Sequence, residues 1–141
     1  DTYLKLGGFE KKTIFNEDMI FAGRLIQAGG KIAYCADARV IHSHNYHAVQ
    51  QFHRYFDLAV SQTMHPEVFG GVRSESEGMR LVVKSIRHCM RIGRPWLIFT
   101  VVAQNAGKFL GYRLGRRFQK LPRRLVLACT MNCSFWLEES E

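Results

Sequence analysis

From Gly78 to Leu137 the chain contains not one aspartate or glutamate, against twelve lysines and arginines, a local balance of +12. Residues 1–77 hold eight basic and nine acidic side chains, and Glu138, Glu139 and Glu141 bring the total to +8. This asymmetry reads as a near-neutral segment followed by a module that faces polyanions. Long apolar runs are also missing. The longest, Trp96 to Ala103 with Thr100 inside it, falls far short of the ~20 residues that cross a bilayer. Asp1 to Gly8 lacks the basic start and apolar run of a signal peptide. Four cysteines, Cys35, Cys89, Cys129 and Cys133, form no Cys-x-x-Cys pair and do not suggest a disulfide scaffold. Cys129 and Cys133 fit adjacent helical turns, but no second pair accompanies them to close a zinc site. Reduced thiols in a cytosolic setting are expected.

What is present argues for one folded domain. A length of 141 residues supports a real core, and 47% hydrophobic content argues against disorder. No internal repeat is visible. Asn16 suits an N-cap, with Glu17 and Asp18 in a first turn where carboxylates meet the positive helix end. Met19, Ala22, Leu25, Ile26 and Ala28 approximate one apolar face, and Gly29-Gly30 stops the helix. Lys31–Cys35 and Arg39–Ile41 read as short extended pieces across an Ala-Asp turn. A helix over about Tyr46–Met64, capped by Asn45, would bury Val49, Phe52, Phe56, Ala59, Val60 and Thr63. Pro66 ends it, and Gly70-Gly71 marks a loop. Ser74-Glu75-Ser76-Glu77 has capping-box form and opens a third helix to about Arg91. Pro95 suits the start of a fourth, Trp96 to about Lys120. Pro122 restarts a short helical piece before an aromatic, acidic tail.

The stretch from Gly7 to His44 concentrates the chemistry. Gly7-Gly8-Phe9, then Glu17-Asp18, then the Arg-Leu-x-x-Ala-Gly run begun by Arg24, resembles the second half of the catalytic domain of inverting family-2 glycosyltransferases with the GT-A fold. Tyr34 and Ala36-Asp37-Ala38-Arg39-Val40 resemble the strand that follows there, although Cys35 and Ala36 stand where a proline is frequent. Glycosyl transfer from a nucleotide-sugar needs a base for the acceptor hydroxyl, a cation to offset the leaving diphosphate, and close backbone approach to both substrates. The resemblance makes Asp18 the base and Glu17 a group that positions loop or acceptor. Gly7, Gly8, Phe9 and Arg24 then line the acceptor and donor. The local pattern alone leaves a plainer reading open, in which Glu17 and Asp18 only cap a helix.

His42 lies beyond Asp18 where some metal-dependent members of that family place a cation ligand, with His44 as a second candidate. Alternate residues of an extended segment point the same way, and imidazole binds Mn²⁺ less readily than carboxylate does. A divalent cation, Mn or Mg, is implied by the resemblance, yet no Asp-x-Asp occurs in the chain. Neither does the strand–helix pattern that holds the nucleotide. The resemblance begins at residue 1, with Asp1–Leu6 as the end of a helix leading into the Gly-Gly-Phe loop. The chain therefore looks like the carboxy-terminal part of a longer enzyme, inactive in transfer by itself.

Beyond His65, Arg94-Pro95-Trp96-Leu97-Ile98 and the run Ala106 to Arg117 resemble the tails of bacterial rhamnosyltransferases. Those enzymes use dTDP-rhamnose to extend lipid-linked O-antigen or related polysaccharides. Trp96, Phe99, Val102, Phe109, Leu110 and Tyr112 supply apolar and interfacial groups, and Arg113, Arg116, Arg117, Lys120, Arg123 and Arg124 cluster behind them. Anionic headgroups attract such clusters by about 1 kcal/mol per cation. Trp96, Phe109, Arg113, Arg116, Arg117 and Lys120 are the expected membrane contacts, on a protein peripheral at the inner face of the cell membrane. The competing reading is a non-enzymatic basic helical module that binds anionic membrane or nucleic acid. No nucleic-acid motif supports the latter partner. The expected fold is α/β: residues 1–65 as the carboxy-terminal part of a GT-A domain, residues 66–141 as a basic helical extension.

Overall fold

In a computed structural model describing residues 2–42, 45–71 and 75–138, the order is α1 (Thr2–Lys5), α2 (Glu17–Gln27), α3 (Ala48–Met64), α4 (Pro66–Phe69), α5 (Glu75–Arg91), α6 (Leu97–Gly115), a 3-10 turn (Phe118–Lys120), α7 (Arg123–Cys129) and α8 (Cys133–Glu138). No strand occurs among the described residues. The described residues are helical, and the α/β architecture expected of residues 1–65 is not seen in them. Lys31–Cys35 and Arg39–Ile41 do flank a turn at Ala36-Asp37, but both are exposed and neither is paired as a strand. A strand owes its stability to a ladder with a neighbour, and the described residues offer no sheet edge.

The most extensive packing joins α3 to α6. Its basis is a row of glycines four apart, Gly107, Gly111 and Gly115, on one ridge of α6. These lie against the backbone of α3 at Ala48, Phe52 and Phe56, also four apart. A Cβ on Gly107 would stand 3.3 Å from the Ala48 carbonyl carbon, and one on Gly111 2.9 Å from that of Phe52. Their carbonyl oxygens would be nearer still. Only hydrogen fits, so the two helices meet backbone to backbone, as small-residue seams allow. This seam crosses residue 65, which separates the two expected regions.

Around it Ile14, Phe56, Val60, Val126 and Cys129 form the buried core, and Phe118, Phe135 and Trp136 close it from the carboxy-terminal side. Asp57, inside this layer, accepts the Thr130 hydroxyl at 2.6 Å and the Met131 N–H at 2.8 Å. His53 Nδ1 lies 2.8 Å from the Cys129 carbonyl. Together they latch the α7–α8 corner onto α3. Burial pushes the Asp57 carboxyl above its ordinary pKa, against the opposing pull of hydrogen bonds from Thr130, Met131 and Asn132. The Cys129 thiol is raised as well, first by burial and then by the nearby Asp57 charge.

Several expected boundaries move. The long helix of the middle region begins at Ala48, and the N–H of His47 donates to Gln50 Oε1 at 3.1 Å. His47 rather than Asn45 therefore stands at the cap. Of the six residues expected on its inner face, Val49 is exposed, while Phe56, Ala59 and Val60 are fully buried. Helix α6 ends at Gly115 instead of near Lys120, because the chain tightens into i→i−3 bonds: Arg117 N to Leu114 O, then Lys120 N to Arg117 O. The expected capping box at Ser74–Glu77 lies outside the described residues and side chains. All four cysteines are unpaired, Cys89 and Cys129 buried, Cys35 and Cys133 exposed.

Candidate functional site

The segment from Thr2 to Gln27 is a helix, a pinned loop and a second helix. Helix α1 ends in a left-handed glycine, Gly7 (φ 81°), with Gly7 N bonded to Leu4 O at 3.1 Å and Gly8 N to Tyr3 O at 2.9 Å. That pair of bonds is the Schellman form of helix termination. Gly8 is buried against the Tyr3 ring, where a Cβ would stand 3.1 Å from the nearest ring atom. Tyr3, Phe9 and Phe21 make a mutually packed aromatic triad with centroids 5.2 to 5.7 Å apart, and the Tyr3 hydroxyl accepts the Phe9 N–H at 3.2 Å. Gly7, Gly8 and Phe9 thus share one compact surface beside α2, with the Phe9 ring half exposed.

The loop from Glu10 to Asn16 is tied down at both ends. Arg24 on α2 forms an ion pair with Glu10. That guanidinium, with the Lys12 N–H, holds the Glu10 carboxyl below its ordinary pKa. The predicted binding residue Arg24 is therefore engaged by a partner inside the chain. Nearer α2, the Phe15 carbonyl accepts Ser61 Oγ at 2.5 Å and Thr13 Oγ1 at 2.8 Å. The Arg54 guanidinium lies over the Phe15 ring at 4.6 Å.

Asn16 then turns the chain into the helix in a left-handed conformation (φ 64°), the sole non-glycine with positive φ among the described residues. Asparagine tolerates this conformation better than most residues. Its side chain does not cap the helix, contrary to the expectation; it is buried, with Nδ2 directed at the Leu58 carbonyl 3.5 Å away. The first helical bond still forms, from Ile20 N to Asn16 O at 2.9 Å.

Glu17 and Asp18 emerge from this fixed entry as exposed carboxylates in the first turn of α2. Asp18 Oδ1 accepts the Met19 N–H at 2.7 Å, so one carboxylate oxygen does satisfy a first-turn donor, as the capping reading requires. The helix is buried through Ile20, with Gly23 half-buried beside it, and not through Met19 and Ile26, which stay 48% and 58% exposed. Gly23 sets that rotation, because a Cβ there would stand 2.5 Å from Val68 Cγ1 of α4. The acid pair is consequently directed by a loop and a helix that are both anchored to the α3 layer.

The histidines lie elsewhere. His42 is exposed at the end of the extended segment, and His44 lies outside the described residues. Among the described residues no three His, Cys, Asp or Glu side chains come together in a way that could hold a metal ion. The described residues alone therefore do not make up a cation site, and His42 is the one predicted ligand among them. His65 carries no signal in the sequence that sets it apart. Its Nδ1 lies 3.1 Å from Glu67 Oε1, and its buried Nε2 has no hydrogen-bond partner; it also contributes to the field that lowers Glu10. Glu10 was missed too, since its link to Arg24 spans a loop and carries no helical or strand period.

Of the expected membrane contacts, Trp96, Phe109, Arg113, Arg116, Arg117 and Lys120 are all exposed. Trp96 stands just before α6, and Phe99, Val102, Phe109 and Leu110 are exposed apolar residues on it. No helix among the described residues is long and apolar enough to cross a membrane.

The chain is 44% identical to an O-antigen chain rhamnosyltransferase of Salmonella anatum, WbaN, over 134 residues, covering 93% of this chain and 42% of that protein. It is 41% identical to the O-antigen chain rhamnosyltransferase RfbN of Salmonella typhimurium over 135 residues, covering 94% of this chain and 42% of that protein. The resemblance to bacterial rhamnosyltransferases read from the sequence thus holds along nearly the whole chain. The chain spans less than half the length of these curated relatives. No family model matches it, and no solved structure does.

Proposed function

We propose that this chain is the acceptor-and-base side of an inverting rhamnosyltransferase, the carboxy-terminal part of a GT-A, family-2 enzyme. It would move rhamnose from dTDP-rhamnose to a lipid-linked O-antigen saccharide. The observation that carries this reading is the 41–44% identity to two O-antigen chain rhamnosyltransferases over more than nine tenths of the chain. The exposed Glu17–Asp18 pair at a rigidly set helix start supplies the chemistry.

In the reaction, the Asp18 carboxylate takes the proton of the acceptor hydroxyl as that oxygen attacks the anomeric carbon. The bond to the diphosphate breaks on the opposite face, and dTDP departs with the bonding electrons. A single displacement of this kind inverts the anomeric configuration. Glu17 orients the acceptor, and the Gly7-Gly8-Phe9 surface with its half-exposed ring gives a sugar an apolar face to lie on. Arg24, through Glu10, holds the loop between them. A divalent cation on the diphosphate would need ligands that the described residues do not assemble, so no step here is routed through it or through His42. Arg113, Arg116, Arg117 and Lys120 favour a position at the inner face of the cell membrane, where a lipid-linked acceptor resides.

The test is a chimera in which this chain replaces the matching segment of the Salmonella anatum enzyme, assayed for rhamnose transfer from dTDP-rhamnose. General-base catalysis contributes about 10²–10⁴-fold. Asp18→Asn should lower kcat by that order while leaving dTDP-rhamnose binding nearly unchanged. Turnover retained by the variant would remove Asp18 from the role of base, and a chimera without transfer activity would refute the assignment as a whole.

A further inference from the structure

Helix α5 carries a two-row pattern that the transfer reaction does not use. At the helical period its side chains fall into three adjacent strips. Val82, Ile86 and Cys89 form the first, and Cys89 is buried where α5 packs on α6. Met79, Val83 and Met90 form the next, left 65%, 48% and 59% exposed. Arg80, Lys84, Arg87 and Arg91 form the third, all exposed. Glu75 and Glu77 stand only at the start of the helix, and no acid follows until Glu138.

The helix ends in a Schellman turn, with Gly93 at φ 69°, Gly93 N bonded to Met90 O and Arg94 N to Cys89 O. This turn carries exposed Ile92 and Trp96 before α6 begins. An apolar row flanked by a cationic row, on a helix too polar to insert across a membrane, is the pattern of a helix lying in the plane of an interface.

We infer that α5 is a docking element for an anionic lipid bilayer: Met79, Val83 and Met90 enter the headgroup–acyl boundary, and Arg80, Lys84, Arg87 and Arg91 bind lipid phosphates beside them. The inference deepens the membrane position proposed above by naming its element, and it rests on that position but not on transfer activity. A bilayer is favoured over a dissolved polyanion because the exposed methionines and valine beside the cations have a use only where an apolar phase is present. Each cation near an anionic surface raises partition roughly fivefold, so the row of four sets affinity. The apolar row sets depth.

The experiment is co-sedimentation of the 141-residue chain with phosphatidylcholine vesicles, with and without roughly a quarter phosphatidylglycerol, the anionic lipid that supplies the surface charge. Arg80→Gln/Lys84→Gln/Arg87→Gln should weaken binding to the anionic vesicles about a hundredfold, at roughly fivefold per cation. Met79→Ser/Val83→Ser/Met90→Ser should weaken it at least about tenfold by removing apolar burial, with helical circular dichroism unchanged in both. Single-stranded DNA serves as the competing polyanion. Equal binding of DNA by the parent and the serine variant, alongside loss of vesicle binding, supports the bilayer. A serine variant that binds vesicles as well as the parent overturns the inference, as does a glutamine variant with unchanged binding. If the parent binds vesicles and both variants do too, α5 is excluded while a membrane position through the α6 tail survives. A failed transfer assay in the chimera leaves these measurements standing.

Discussion

Replacing Gly111 with alanine adds a single methyl group, yet two large effects of opposite sign meet there. Within a helix, glycine costs about 1 kcal/mol relative to alanine, so on helix propensity alone the change stabilises. Against α3, the new Cβ would stand 2.9 Å from the Phe52 carbonyl carbon and 3.1 Å from Phe56 N. Carbon–carbon contacts relax at about 3.5–4.0 Å, so the seam must open by roughly 1 Å. The obstructing atoms are helix backbone, which cannot rotate away as a side chain would. Opening the seam at Gly111 also loosens Gly107 and Gly115, because all three lie on one ridge. Overpacking typically costs about 1–3 kcal/mol, and here it should outweigh the propensity gain. The matched control is Gly78→Ala on α5, where an added Cβ meets nothing within 4 Å; that variant should gain up to about 1 kcal/mol. Urea unfolding followed by circular dichroism measures both, with the midpoint falling for Gly111→Ala, rising for Gly78→Ala, and the slope unchanged. A Gly111→Ala protein as stable as the Gly78→Ala protein would refute backbone-to-backbone packing at the seam.

Two buried or paired carboxyls give the chain opposite pH dependences. Asp57 is raised by burial, so the folded state holds its proton more tightly than the unfolded state does. Its contribution to stability falls as pH rises from the ordinary aspartate value to the raised one. Asp57→Asn should abolish that slope in acid-range unfolding curves, at a cost of about 1–3 kcal/mol from the acceptor lost to Thr130 or Met131; an unaltered slope would contradict the burial. Glu10 is lowered, chiefly by Arg24, so its contribution is complete above the ordinary glutamate value and disappears as pH falls through the lowered one. Glu10→Gln should flatten that acid limb, and a titration of Glu10 by carbon-13 NMR at its ordinary value would remove the basis for it.

What could be read from sequence was what depends on neighbours along the chain. The glycine pairs that end α1 and α2 and the long helices over 48–64 and 75–91 follow from local rules, whereas Pro66, expected only to end a helix ahead of a loop, also starts α4. The Glu17–Asp18 pair was likewise legible as the start of a helix. The pattern Gly107-x-x-x-Gly111-x-x-x-Gly115 was equally visible, but its meaning depends on which helix lies opposite. Sequence period cannot supply that. Tertiary contact also decides the rotation of α2: Met19 and Ile26 satisfy the apolar period, and Val68 filling the notch at Gly23 turns Ile20 inward instead. The Asp57 latch, the Glu10–Arg24 pair and the Ser61 bond to Phe15 join residues between 14 and 74 positions apart, beyond the reach of any local signal.

The segment from Lys31 to His42 shows the same division from the other side. Ile32, Tyr34, Val40 and Ile41 carry apolar side chains, and all are exposed. The long helices α3, α5 and α6 are self-sufficient because their peptide groups bond within their own turns and one face of each finds α3 or α6. An extended segment has no such internal solution: its N–H and C=O groups need a neighbouring strand, and its apolar faces need a covering layer. Local alternation therefore specifies the readiness of these residues to pair, and a partner edge is what converts that readiness into a sheet. The acid pair depends on context in the same way. Asn16, Ser61 and Arg24 fix where Glu17 and Asp18 stand, which is a property of this chain. Whether Asp18 meets a sugar hydroxyl depends on groups that must hold the donor opposite it, and the transfer assay on the chimera supplies those groups.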